Sequence, residues 1–143
     1  MKPAQLLVTI SLMIVLAGVS PCLYAQNCEK LSGEVGASSR WGSGWIDLAA
    51  ELRRGERLRV QVGGSATKVL IRVLRSGELP DDPVGIVGEF AVPANRIAEV
   101  VLKEDLKSVK QISVHGGPNP WGKFPLGSLN GPATLLGVER CFP

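Results

Sequence analysis

The sequence predicts an all-β domain: an antiparallel β-sandwich with jelly-roll connections, preceded by a cleavable export signal. Three observations carry this. After Gln26, apolar and polar residues alternate with period two, as in Arg57-Leu58-Arg59-Val60-Gln61-Val62; such alternation marks strands with one buried face. Turn-forming residues separate the alternating runs at the spacing of sandwiches and barrels. With aromatics at only 5% of the chain, the core must rest on Val, Ile and Leu.

The first segment is read apart from the domain. Met1-Lys2 gives a positive start, and Leu6 to Val19 is apolar apart from Thr9, Ser11 and Gly18. Pro21 stops any helix, and Leu23-Tyr24-Ala25 places a small residue before Gln26. These are the three regions of a secretory signal peptide, here 1–25. The apolar run is only slightly short of the roughly 17–25 residues that span a bilayer, which makes a retained membrane anchor the alternative; after cleavage no membrane attachment is expected. Residues 26–143 then form a single domain, periplasmic or secreted.

Cysteine usage agrees with export. Cys22 lies in the discarded segment behind Pro21, which leaves Cys28 and Cys141 near the two ends of the mature chain. An even pair in an exported protein reads as a disulfide. Two thiols and one imidazole are too few for a metal site.

Strands are expected at Leu31–Ser39, Gly44–Ala50, Arg57–Val62, Lys68–Arg75, Gly85–Val92, Arg96–Leu102, Val109–His115 and Ala133–Arg140, which makes about eight. In Lys68–Arg75, Val69, Ile71 and Val73 share a face, while Leu70 and Leu74 flank Arg72 on the other. Turns fall at Arg54-Gly55-Glu56, Gly63-Gly64-Ser65, Leu79-Pro80-Asp81-Asp82-Pro83 and Val92-Pro93-Ala94-Asn95. Ala49–Arg54 and Val100–Leu106 are the two places where a helical turn fits. A closed barrel is the alternative packing.

Composition excludes several function classes. The net charge is +3, and Arg53, Arg54, Arg57 and Arg59 are interleaved with Glu51 and Glu56. Such a mixture reads as a solvated strand face and not as a nucleic-acid footprint. His115 is the single histidine, and Ser113 is too near it in sequence to imply an arranged triad. Gly117 to Lys123 has the spacing of a phosphate-binding loop, but Phe124 stands where Ser or Thr should hold magnesium. Pro118 and Pro120 also lack the N–H groups that cradle phosphate. Asp81-Asp82 reads as turn chemistry, since calcium wants about six to eight oxygens. The spacing of Glu34, Asp47, Glu89 and Glu99 does not recommend a glycosidase pair. No cofactor or catalytic activity is expected.

The three tryptophans of the chain sit beside glycines. Trp41 and Trp45 flank Gly42-Ser43-Gly44, and Trp121 lies in the glycine- and proline-rich stretch from His115 to Ala133. Ile46 and Leu48 have core parity, so Trp45 and Asp47 should face outward. An indole offers a flat apolar face at small conformational cost, and sugars stack C–H faces on such rings. Their hydroxyls suit Arg40, Asp47, His115 and Asn119, while glycine permits close approach. The expectation is a ligand-binding surface of Arg40, Trp41, Trp45, Asp47, His115, Asn119 and Trp121, with the rings at a common rim. The competing expectation is that Trp121, with Phe124 and Leu126, plugs one end of the core, and that Trp41 anchors its turn in the same way.

On Gly44-Trp45-Ile46-Asp47-Leu48, Gly55-Glu56-Arg57-Leu58-Arg59-Val60 with Val62-Gly63-Gly64, and Gln111-Ile112-Ser113-Val114-His115-Gly116-Gly117, the chain resembles small exported bacterial β-sandwich proteins of unassigned function. More loosely it is similar to galactose-binding-like and carbohydrate-binding jelly rolls. That likeness of pattern spans most of Leu31 to Arg140 and implies a non-enzymatic binding domain with a glycan as its ligand. The alternative is a structural or protein-interaction domain of the bacterial envelope, whose partner is an envelope protein.

Overall fold

The computed structural model describes residues 27–38, 42–80, 82, 84–116 and 131–143 of the chain. Nine strands are present: β1 (Asn27–Lys30), β2 (Glu34–Ser38), β3 (Ser43–Leu52), β4 (Arg57–Gly64), β5 (Lys68–Arg75), β6 (Ile86–Ala91), β7 (Ile97–Val101), β8 (Leu106–His115) and β9 (Ala133–Phe142). No helix occurs among the described residues, so the two segments compatible with a helical turn are instead strand ends and tight turns. The proposed signal peptide lies outside the described residues.

The strands form two antiparallel sheets, of order β1-β9-β4-β7 and β2-β3-β8-β5-β6. Apart from the β2–β3 and β5–β6 hairpins, every connection passes from one sheet to the other. This makes a sandwich and not a closed barrel. The facing sides share one aliphatic core, with Leu58, Val60, Val62 and Val100 from the four-stranded sheet against Ile46, Val69, Ile71 and Ile112 from the five-stranded one. Period two puts these residues there, as with Leu58, Val60 and Val62 on β4 and Val69 and Ile71 on β5, which stand two positions apart.

Two departures from expectation have physical causes. Asn27–Lys30 pairs with β9 in the register Asn27↔Phe142 to Lys30↔Glu139, yet its letters carry no alternation. Its place is fixed by the Cys28–Cys141 disulfide, which joins directly opposite residues across a sequence separation of 113. The bridge is compatible with an oxidising, extracytoplasmic compartment. β3 runs on to Leu52 because register shifts after Asp47 and Ala50 break the alternation there without ending the strand.

β5 is buried on both sides. Val69, Ile71 and Val73 belong to the core, whereas Leu70, Arg72 and Leu74 are covered on the outer face. The Arg72 guanidinium draws the β5–β6 connection back over the sheet. Its Nε donates to the Val84 carbonyl at 2.6 Å, Nη1 to Pro80 at 2.8 Å, and Nη2 to Leu79 at 3.0 Å and to Asp82.

On the opposite side of the sandwich, the arginine cluster read as a solvated face does form ion pairs. Arg57 and Arg59 approach Glu99 at 3.6 and 3.4 Å, and Arg59 approaches Glu139 at 3.6 Å. These exposed pairs contribute little individually.

Candidate binding face

The outer face of the five-stranded sheet gathers the sequence-nominated residues that the structure describes. Cross-strand register sorts them into three rows: Glu34, Asp47, Gln111 and Leu74; then Gly36, Trp45, Ser113 and Arg72; then Ser38, Ser43, His115, Leu70 and Glu89. The alternate residues of these strands fill the core, so the three rows share the opposite side.

Trp45 is the centre of this face. It is half-buried and stands opposite Gly36 of the edge strand β2. A methyl group on Gly36 would come within 2.5–2.6 Å of the indole atoms Nε1, Cε2 and Cζ2. These three atoms form the Nε1–Cε2–Cζ2 edge of the indole, so that edge packs over the Gly36 backbone in the space a side chain would take. A glycine costs a strand conformational entropy and packing; here the ring supplies the missing cover, the cross-strand device that rescues edge glycines.

Asp47 is two residues along β3, about 7 Å at the rise of an extended strand. Its Oδ1 accepts a hydrogen bond from Gln111 Nε2 at 2.9 Å. Glu34 pairs with Asp47 in register, and both are exposed. Two neighbouring carboxylates favour ligand groups that donate hydrogen bonds, such as hydroxyls. Of the other two carboxylates considered for a glycosidase pair, one stands at the far edge of this face and the other on the second sheet. Glu89 approaches Lys68 at 3.7 Å, and Glu99 is on the four-stranded sheet.

His115 is on the same face but under cover. Ser113 Oγ and His115 Nε2 are in hydrogen-bond contact at 3.0 Å, and both residues are buried. Burial, reinforced by the nearby Arg72 charge, pushes the His115 pKa down from its ordinary 6.5 to about 4. The imidazole is therefore neutral in ordinary buffers, and the cover that keeps it neutral also keeps bulk solvent from the Ser113 hydroxyl.

This gives a pH prediction. Between pH 6.5 and about 4 the unfolded chain takes up a proton that the folded chain refuses. The stability due to neutral His115 is thus complete above pH 6.5 and is lost as pH falls toward 4, by on the order of 3 kcal/mol. In urea unfolding from pH 7 to 4.5, the wild type should lose more stability than His115→Gln, whose amide can keep the Ser113 contact. Equal losses in the two proteins would contradict the assignment.

Arg40, Trp41, Asn119 and Trp121 lie outside the described residues. Of the nominated set, Trp45, Asp47 and His115 are thus placed together on one sheet face, the first two accessible and the third buried. Gly36, Gln111 and Glu34 complete the accessible patch and were not nominated from sequence. A glycine inside the otherwise regular Glu34–Ser38 strand was a readable sign of close approach. Gln111 follows from the core parity of Ile112 and Val114.

No family model, curated protein or solved structure matches the chain.

Proposed function

We propose that this is a non-enzymatic, exported binding module that takes a glycan on the outer face of its five-stranded sheet. One observation carries the reading: a half-buried indole seated against Gly36 on the outer side of the sheet, with the Asp47–Gln111 pair beside it. A pyranose ring stacks its C–H face on the indole while its hydroxyls donate to Asp47 and Glu34 and accept from Gln111. Because the ring is already held against the sheet, little side-chain entropy is lost on binding.

Export through cleavage after Ala25 is part of the same proposal, and the terminal disulfide favours it. So is jelly-roll connectivity. With β2 set aside, the orders β1-β9-β4-β7 and β3-β8-β5-β6 follow the double Greek-key path of that architecture.

The test is a glycan array probed with the mature protein, with Trp45→Ala and with Gly36→Val. The wild type is expected to bind one class of sugar. Both variants are expected to lose at least about tenfold in affinity, worth about 1.4 kcal/mol, Trp45→Ala by removing the platform and Gly36→Val by lifting it. Binding by a folded Trp45→Ala protein at wild-type strength would overturn the proposal, as would a wild type that binds no glycan.

A further inference from the structure

A second surface, on the far side of the sandwich from β1, carries an inference independent of the glycan reading. The four-stranded sheet is one strand short of its partner, and its edge strand β7 meets the five-stranded sheet's edge strand β6 at one end of the sandwich. Between them opens a cleft of about 690 Å³, lined by Val73, Val87, Phe90, Val101, Leu102 and Leu106 among others. Val87 and Phe90 pack on the core yet remain half-open, and Val101 is 53% exposed.

The backbone of β7 says what kind of occupant fits. Val62 N–H donates to the Arg96 carbonyl at 2.8 Å, and Leu102 N–H donates to the Glu56 carbonyl at 2.9 Å. Hydrogen bonding alternates along an antiparallel pair, so Ala98 and Val100 also bond to β4. Ile97, Glu99 and Val101 therefore direct their main-chain groups away from β4, toward the free edge. The Ile97 N–H is taken by Asn95 Oδ1 at 3.1 Å. Among the described residues, that leaves the N–H groups of Glu99 and Val101, and the carbonyls of all three residues, as an open ladder.

Edges are normally blunted. β6 has a register shift and Gly88 at φ 152°, and β1 is four residues long and stapled by the disulfide. β7 pairs with β4 in unbroken register from Arg57↔Val101 to Gln61↔Ile97, and the charge of Glu99 at its middle is held by Arg57 and Arg59. The exposed charges at the cleft are of both signs, Arg75 and Lys103 against Glu104, so a single-sign head group, as on a fatty acid, is not selected. An open ladder that ends at Val101 on a cleft of mixed apolar and charged lining calls for main-chain hydrogen bonds along the edge and for apolar side chains alternating with polar ones at the cleft.

We propose that β7 is the docking edge for an extended peptide segment of a partner protein. The segment adds a fifth strand to the four-stranded sheet opposite β6 and buries every second side chain against Val87, Phe90 and Leu106.

The probe is a phage-displayed library of random dodecapeptides, panned on the mature protein, with the selected peptides synthesised for titration. Selected sequences are expected to alternate apolar and polar residues. On binding, the amide hydrogens of Glu99 and Val101 should exchange at least about tenfold more slowly as they gain partners. Val101→Pro removes an edge N–H without touching a β4 bond, as proline is tolerated on edge strands. It should weaken binding about tenfold, while Val101→Thr, which keeps the N–H, should bind as wild type. Equal affinity for a folded Val101→Pro protein would overturn the proposal, and so would unchanged exchange at Glu99 and Val101 or a library yielding no binder. Concentration-dependent dimerisation that protects the same two amides would also overturn it, assigning the edge to a second copy of the chain.

Discussion

Reduction of the Cys28–Cys141 bridge lowers the melting temperature of the mature protein by about 10–15 °C. The bond closes a loop of 113 residues in sequence, and removing that constraint enlarges the unfolded ensemble by the equivalent of about 4–5 kcal/mol in the chain-entropy model. A local effect adds to this. β1 has only four residues and pairs with β9 alone, so without the staple it is an edge strand with little else to hold it. The double variant Cys28→Ser, Cys141→Ser should match the reduced wild type. Calorimetry with verified reduction checks both, and an unchanged melting temperature would mean that the unfolded chain gains nothing from release.

Replacing Arg72 by Met costs about 3 kcal/mol, the second large effect expected. Arg72 is 2% exposed and donates to four carbonyls of the β5–β6 connection. Methionine fills much of the volume but leaves those acceptors to find water. Arg72→Lys should recover only part of the loss, since an ammonium cannot span the four acceptors that a planar guanidinium reaches. The substitution has a second readout. The Arg72 charge helps to hold the His115 pKa down, so that pKa should rise in Arg72→Met, as followed by histidine NMR titration. A stability within about 0.5 kcal/mol of wild type, the range of ordinary surface changes, would show that the connection is held by other means.

These residues also mark where the sequence was legible. Period two assigned the faces of β4 and of Val69, Ile71 and Val73, because one-sided burial writes itself into alternate letters. The terminal cysteines announced their own pairing. Arg72 was harder. Alternation marks it as facing away from the core, and it does, but the cover over it comes from the chain turning back, a tertiary event with no local pattern. β1 left no hydrophobic signature because its placement rests on pairing and a covalent bond. The binding face was half legible. Trp45 and Asp47 follow from parity with Ile46 and Leu48, whereas the seating of the ring on Gly36 depends on the β2–β3 register, which local letters do not set.

A glycan bound on this sheet face must stack on the Trp45 indole, which is seated against Gly36. The most direct measurement is the indole N–H signal of Trp45 in ¹⁵N–¹H spectra, assigned by its loss in Trp45→Phe and followed as the soluble oligosaccharides of the array are added. At least one sugar class should move this signal in the wild type and leave it in place in Gly36→Val. A Trp45 signal unmoved by every sugar would contradict it.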